Sequence, residues 1–223
     1  MVDGMTKKES LDAQYEYIIN ELEGRFSAYD FRYLNNLPVW ENFKSRFSST
    51  NMAKILELGC GPKTDFKTLD WVEYHGLELS SKAVLLANCD SIIHGNALYI
   101  DNYFQDKFDL IIDSHLLHNL PSQEDVKVVL KKSLCQLKEG GMLIGELPVA
   151  NSHFKNTTSK IVHSSLEWEN LFIEVTKEYD CYIGYFTMAW NLKMIVDDSG
   201  EDRDPLSSDP DVLRYILIKK VLT

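Results

Sequence analysis

From residue 52 onward, short apolar runs of strand length alternate with stretches of helical periodicity. The runs 54–58, 72–79, 92–94, 108–113 and 142–147 predict strands, several ending at glycine, asparagine or serine. Only 65–71 is free for the first crossover, which predicts a very short helix there. Ala83, Leu86 and Ala87 form the inward face of a predicted helix over 81–88. Val126, Leu130, Leu134 and Leu137 form the buried face of another, capped by Ser122 with Asp125 at the third position and ended by Gly140. Strands alternating with helices in this way predict an α/β chain with a doubly wound, mostly parallel sheet.

The two ends of the chain read differently. Thr6 and Glu9 have capping-box spacing, and Leu11, Tyr15, Ile18, Ile19, Leu22 and Phe26 then predict a helix over 7–23. An aromatic stretch with Tyr29, Phe31 and Tyr33 follows. Pro38 opens a second helix with Val39, Trp40, Phe43 and Phe47 on its apolar face, closed by the polar linker 48–51. These helices divide the chain into an N-terminal helical cap, 1–51, and a sheet-bearing remainder, 52–223. Beyond 147, residues 148–163 are polar and long for a connector, which suggests a lid. Ser164 and Glu167 are a second capping-box pair, opening a helix with Trp168, Leu171, Phe172 and Val175 inward. The run 181–196 is β-prone, 197–211 is an acidic loop with two prolines, and 212–221 is the last strand. Strand, long loop, strand predicts an antiparallel hairpin at the far edge of the sheet.

Composition narrows the class. The 223 residues are 44% hydrophobic and 26% charged, ordinary for one soluble globular domain. No apolar run approaches the ~20 residues that cross a bilayer, and the first ten residues lack the apolar core of a secretory signal. The four cysteines are scattered without a C-x-x-C pair, so neither zinc nor a disulfide framework is expected, and a reducing cytoplasm is the simplest location. The formal net charge of -11 argues against tight, sequence-independent nucleic-acid binding. No feature of the sequence specifies an oligomeric state.

The candidate chemistry centres on Glu57-Leu58-Gly59-Cys60-Gly61-Pro62, where the first strand runs into a glycine turn. Such a junction lies at the carboxyl edge of a parallel sheet, where doubly wound folds bind nucleotide-like ligands. A pyrophosphate cradle needs G-x-G-x-x-G; here Pro62 and Lys63 occupy the turn and the last position is Thr64. Glu57, Gly59 and Gly61 instead match E-x-G-x-G. Glu78 ends the second strand 21 positions after Glu57, the place where such sheets put an acid for ribose hydroxyls. A carboxylate suits a cis-diol because it offers only acceptors.

Together with the strand and loop 108–121 and the helix–Gly-Gly–strand segment 137–144, this motif resembles the class I S-adenosylmethionine-dependent methyltransferases over roughly 52–221. The resemblance implies a seven-stranded mixed sheet, S-adenosylmethionine as cofactor, and N-terminal helices that either cap the cofactor or merely cover the sheet. In that family the first loop meets the amino-acid end of the cofactor, and an acid or amide after the third strand meets the adenine, as Asn96 would. The loop from Ser114 to Pro121 would flank the sulfonium and contact the cofactor's amino group or adenine, with His118 at a position that more often lines the adenine side. The implied cofactor set is Glu57, Gly59, Gly61, Glu78, Asn96, Ala97, Asp113, Ser114 and His118, with no metal. The family usually carries a third glycine where this chain has Lys63.

Methyl transfer from a sulfonium is an in-line displacement of an already activated methyl group. Alignment to ~3–3.5 Å supplies ~7–11 kcal/mol, and a base adds ~10²–10⁴-fold where the acceptor carries a proton. Candidate bases are His115 and His118, with Asp113 and Glu146 near the same strand ends. Tyr29, Tyr33, Trp40, Tyr182, Tyr185 and Trp190 are candidates for an aromatic acceptor pocket or for the core. The expected activity is methylation of a small molecule. A protein or RNA methyltransferase and a non-catalytic cofactor-binding module are the alternatives.

Overall fold

The structure is a computed structural model that describes residues 37–62, 66–149, 161, 163–188 and 212–221. Seven strands form one sheet: β1 (Ala53–Leu58), β2 (Val72–Glu78), β3 (Ile92–His94), β4 (Phe108–Asp113), β5 (Leu137–Pro148), β6 (Cys181–Met188) and β7 (Val212–Lys219). Their order is β3-β2-β1-β4-β5-β7-β6. Strands β1 to β5 are mutually parallel where paired, and β7 runs antiparallel between β5 and β6. The doubly wound, mostly parallel seven-stranded sheet with an antiparallel final hairpin is therefore present.

Helices α1 (Pro38–Lys44), α2 (Ser81–Ala87), α3 (Ile100–Tyr103), α4 (Gln123–Gln136) and α5 (Ser165–Thr176) cover the sheet. On one face, Leu56, Leu58, Ile111, Leu143, Leu147, Leu213 and Leu217 pack with the inner residues of α4 and α5. On the other, Ile55, Val72, Leu110, Ile112 and Ile144 pack with Trp40 and Phe43 of α1 and with Ala87 of α2. The central strands are apolar on both faces because both are covered. Trp40 stacks on Phe43 at 5.4 Å between centroids, which makes it a core residue and not a pocket wall. Helix α1 thus covers the sheet.

Several boundaries differ from expectation, each for a local reason. The long helix stops at Gln136 and not at Gly140, because Leu137 turns extended and pairs with Phe108. Gly140 and Gly141 then serve a bulge. Gly140 has φ 70°, and a Cβ on Gly141 would fall 2.9 Å from Lys138 O and 3.1 Å from Phe108 O. The bulge shifts the β4–β5 register between Phe108 and Leu110. In α2 the inward face is Ala83 and Ala87, one turn apart, while Leu86 is 41% exposed. Among its described residues the first crossover contains a 3-10 turn, Phe66–Thr68. A 3-10 turn and α3, spanning 97–103, had no periodic signal strong enough to predict. The capping box of Ser164 and Glu167 is formed as expected.

The predicted helix over 7–23, the aromatic stretch after it, most of the connector 148–163, the loop 197–211 and Trp190 lie outside the described residues. Both ends of the connector are tied to the sheet's edge. Val149 and His163 form an isolated parallel bridge, and Ile161 N–H donates to His118 O at 3.1 Å.

Candidate active site

The sheet reverses its winding between β1 and β4. From β1 the chain moves to β2 and β3 on one side, then crosses to β4 and β5 on the other. Ligands of open α/β sheets bind outside the carboxyl ends of the strands at this switch. Two loops meet there, the glycine turn after β1 and the segment after β4. Gly59 and Gly61 have φ of 69° and 59°, the left-handed region that glycine reaches without strain. A Cβ on Gly59 would stand 3.3 Å from both Leu116 Cβ and Ser114 O. The two loops are therefore in contact at that glycine, and Ser114 N–H closes the junction by donating to Leu58 O at 3.0 Å.

Each loop is held by a buried acid. Glu78, 4% exposed, accepts from Gly61 N–H at 2.9 Å and from Ser80 N–H at 2.8 Å. Burial raises its carboxyl above the ordinary range, and the amides of Ser80 and Gly61 oppose that rise. A carboxylate offers about four acceptor sites, so with the amides of Ser80, Gly61 and Leu79 engaged the strand-end acid still has acceptor capacity for a hydroxyl. Glu57 lies opposite Gly76 in the β1–β2 register and accepts from Tyr74 Oη at 2.9 Å. A side chain on Gly76 would collide with Cys60 Sγ at 2.7 Å and Tyr74 Oη at 2.9 Å. Burial first, then the charges of Glu57 and Glu78, push the Cys60 thiol well up, so it is no nucleophile.

Asp113 is fully buried and anchors the second loop. Its Oδ1 accepts from Leu116 N–H at 2.8 Å and Leu117 N–H at 3.1 Å, and its Oδ2 accepts from Tyr215 Oη at 3.1 Å. Burial pushes its carboxyl up to about 7 against the pull of those donors. Glu146, a candidate base, is instead paired with Arg214 Nε at 2.5 Å across β5 and β7.

The two histidines share the second loop, with ring centroids 5.6 Å apart and nearly perpendicular. His118 is buried and its Nε2 lies 3.0 Å from Asn119 Nδ2, whose amide also donates to His115 O at 2.8 Å. His115 is solvent-accessible and has φ 58°. The protein packed around it still lowers its imidazole pKa by desolvation, against a smaller opposite effect of Glu146. A neutral, accessible imidazole at pH 7 can accept a proton.

Asn96 lies beyond β3, where its Oδ1 caps the following turn by accepting from Leu98 N–H at 3.0 Å, and Ala97 is buried in the core cluster. Sequence reasoning missed Tyr74, Gly76, Gly145, Arg214 and Tyr215. Glycine inside a strand marks a close approach of other atoms, and that signal points to Gly76 and Gly145. Tyrosine in an apolar strand carries no comparable mark.

Residues 56–145 match the family model for a methyltransferase domain. No curated protein matches the sequence. Among solved structures, a SAM-dependent methyltransferase from Archaeoglobus fulgidus is 14% identical, with TM-score 0.58, over 84% of this chain and 93% of that one. The plantazolicin methyltransferase BamL, solved with a triazolic desmethylPZN analog and SAH, is 16% identical, with TM-score 0.62, over 96% and 92%. A small RNA methyltransferase is 15% identical, with TM-score 0.57, over 89% of this chain and 27% of that one.

The strand order and the two loops define a Rossmann-like class I methyltransferase fold, and the family match falls on the strands that build them. Residues 56–145 thus match a methyltransferase domain, and the chain shares the fold of SAM-dependent methyltransferases. The plantazolicin methyltransferase structure holds SAH, the demethylated form of a sulfonium methyl donor. The positive-φ glycines leave room for close approach at the first loop, and Glu78 keeps acceptor capacity at the second strand's end. Among the described residues no helix is long and apolar enough to cross a membrane.

Proposed function

We propose that the chain methylates a small-molecule acceptor, with Glu78 receiving the cofactor's ribose, the Gly59–Gly61 turn its amino-acid end, Asn96 and Ala97 the adenine side, and the loop through Ser114 and His118 the sulfonium side. The observation that favours a small acceptor is the net charge of -11, which repels a phosphate backbone. Of the two histidines, His115 is the better base, since it is accessible and held neutral by its surroundings, whereas His118 Nε2 already faces the Asn119 amide. Methylation of RNA is the second reading, and similarity to a small RNA methyltransferase is what favours it.

The test has two arms. Saturating S-adenosylmethionine or its demethylated product should raise the melting temperature, the equivalent of roughly 2.7 kcal/mol at one hundred times the dissociation constant; NADH should not. A labelled-methyl assay on cell extract split into metabolite, protein and RNA fractions should place the label with the metabolites. Label in the RNA fraction would replace the first reading by the second.

A further inference from the structure

We infer that Tyr215 is a positioning residue for the loop after β4, acting on it through Asp113 across a gap that Gly145 leaves in the sheet. Asp113, Gly145 and Tyr215 stand in one cross-strand row, Asp113 opposite Gly145 in the β4–β5 register and Gly145 opposite Tyr215 in the β5–β7 register. Residues in such a row project from the same face. The outer two are two strand spacings apart, roughly 9–10 Å, and any side chain between them would keep them from meeting. Here the middle position has none. A Cβ on Gly145 would fall 2.6 Å from Tyr215 Cε1, 2.6 Å from its Oη and 2.7 Å from Asp113 Cβ. The tyrosine therefore lies flat across β5, and its hydroxyl reaches Asp113 Oδ2. Phe172 of α5 holds the ring down from outside, 4.7 Å between centroids.

The other oxygen of Asp113 takes the amides of Leu116 and Leu117, so the last strand is coupled to the loop that carries Ser114, His115 and His118. The hydroxyl fixes the carboxylate's rotation about its own axis. With one oxygen engaged by Tyr215, the other faces the loop amides. The opposite face of the sheet repeats the construction. Tyr74 lies over Gly76, and its hydroxyl donates to Glu57, the residue opposite that glycine. A glycine vacancy with a tyrosine hydroxyl laid across it thus serves Asp113, the last residue of β4, and Glu57, the last but one of β1.

This inference rests on the reading that the loop after β4 borders the cofactor, and the experiment separates the two. Tyr215→Phe keeps the ring against Phe172 and removes only the hydroxyl, so the fold should survive, as a melting curve will check. Amide hydrogen exchange on the free protein should then show Leu116 and Leu117 losing roughly tenfold in protection, with β5 and β7 amides unchanged. Calorimetric titration with SAH should show an affinity about three- to tenfold weaker. Gly145→Ala, which drives the ring out of the gap, should reproduce both effects. In an Asp113→Ala background Tyr215→Phe should add nothing further, because its action passes through that carboxylate. Unchanged exchange at Leu116 and Leu117 in folded Tyr215→Phe would overturn the coupling. Altered exchange with unaltered SAH affinity would overturn its role toward the cofactor. If wild-type protein bound no SAH, the cofactor placement would fall, and the exchange arm would still decide the coupling.

Discussion

Glu78 offers the sharpest test of the site, because two demands fall on one carboxylate. It is buried, and its oxygens hold Gly61 N–H and Ser80 N–H. Hydrogen bonds to a charged acceptor contribute roughly 1.5–3 kcal/mol each, and a buried amide left unpaired costs about 1–3 kcal/mol. Glu78→Ala leaves two such donors, so we expect destabilisation on the order of 2–5 kcal/mol, measured as a lowered urea midpoint at constant slope. A strand-end acid that only touched ligand would cost almost nothing. Cofactor affinity should fall by at least one to two decades, since the ribose acceptor and the restraint on the glycine turn are lost together. Glu78→Gln separates the two roles. Its single oxygen can satisfy one of the two amides, while its NH₂ group faces the other donor and repels it. Gln should therefore recover little stability, even though it keeps shape and one acceptor. Glu73→Ala, near the start of β2 and 51% exposed at its side chain, is the control and should change neither quantity much. A folded Glu78→Ala protein with wild-type stability would refute the restraint on Gly61, and wild-type affinity for S-adenosylmethionine would refute the ribose assignment.

Three further outcomes follow from the same geometry. Gly76→Ala should cost about 1–3 kcal/mol by overpacking, and Cys60→Ala should relieve part of that cost in a double-mutant cycle, because Cys60 Sγ is the nearest obstacle at 2.7 Å. Asp113 titrates near 7 when folded against an ordinary 3.8, so its contribution to stability is fully present below about pH 4 and is lost as pH rises toward 7; the loss is on the order of 4 kcal/mol, and urea unfolding of wild type and Asp113→Asn between pH 4 and 8 should show the difference between them narrowing or reversing across that window. Generic tRNA or duplex DNA should bind weakly at physiological salt, and sub-micromolar affinity with a steep salt slope in filter binding would move the acceptor assignment to nucleic acid.

The parts of this molecule that the sequence discloses are those carried by periodicity and turn chemistry. Strands β1 to β5 and β7, helix α4 and the Ser164 capping box all fall at or near their predicted places, because apolar runs and caps act locally. The Gly140-Gly141 pair shows the limit. Glycine after a helical run signals a cap, yet the same residues serve a bulge, and only the pairing of Leu137 with Phe108 decides between the two. Likewise Leu86 satisfies helical spacing but loses the inward position to two alanines, since the close approach of α2 to the sheet favours small side chains. At the switch between β1 and β4, the placement of Glu57, Gly59, Gly61 and Glu78 on the turn after β1 and the ends of β1 and β2 is legible from spacing along the chain. Tyr74 and Tyr215 are not, because their hydroxyls act across strand registers that no local pattern encodes.

Both loop-bearing acids are turned inward, toward backbone amides of their own chain. Glu78 binds the glycine turn, and Asp113 binds the segment after β4. Bonds to the chain's own amides restrain the described parts of these loops without any ligand contact, and a restrained segment loses less entropy on binding. Substitutions at Asp113 should then weaken binding through loop disorder, with a less favourable binding entropy and little change in the contacts made once bound. Those at Glu78 should add a direct enthalpic loss, since that acid alone combines a bond to the loop with acceptor capacity at the open edge of the sheet.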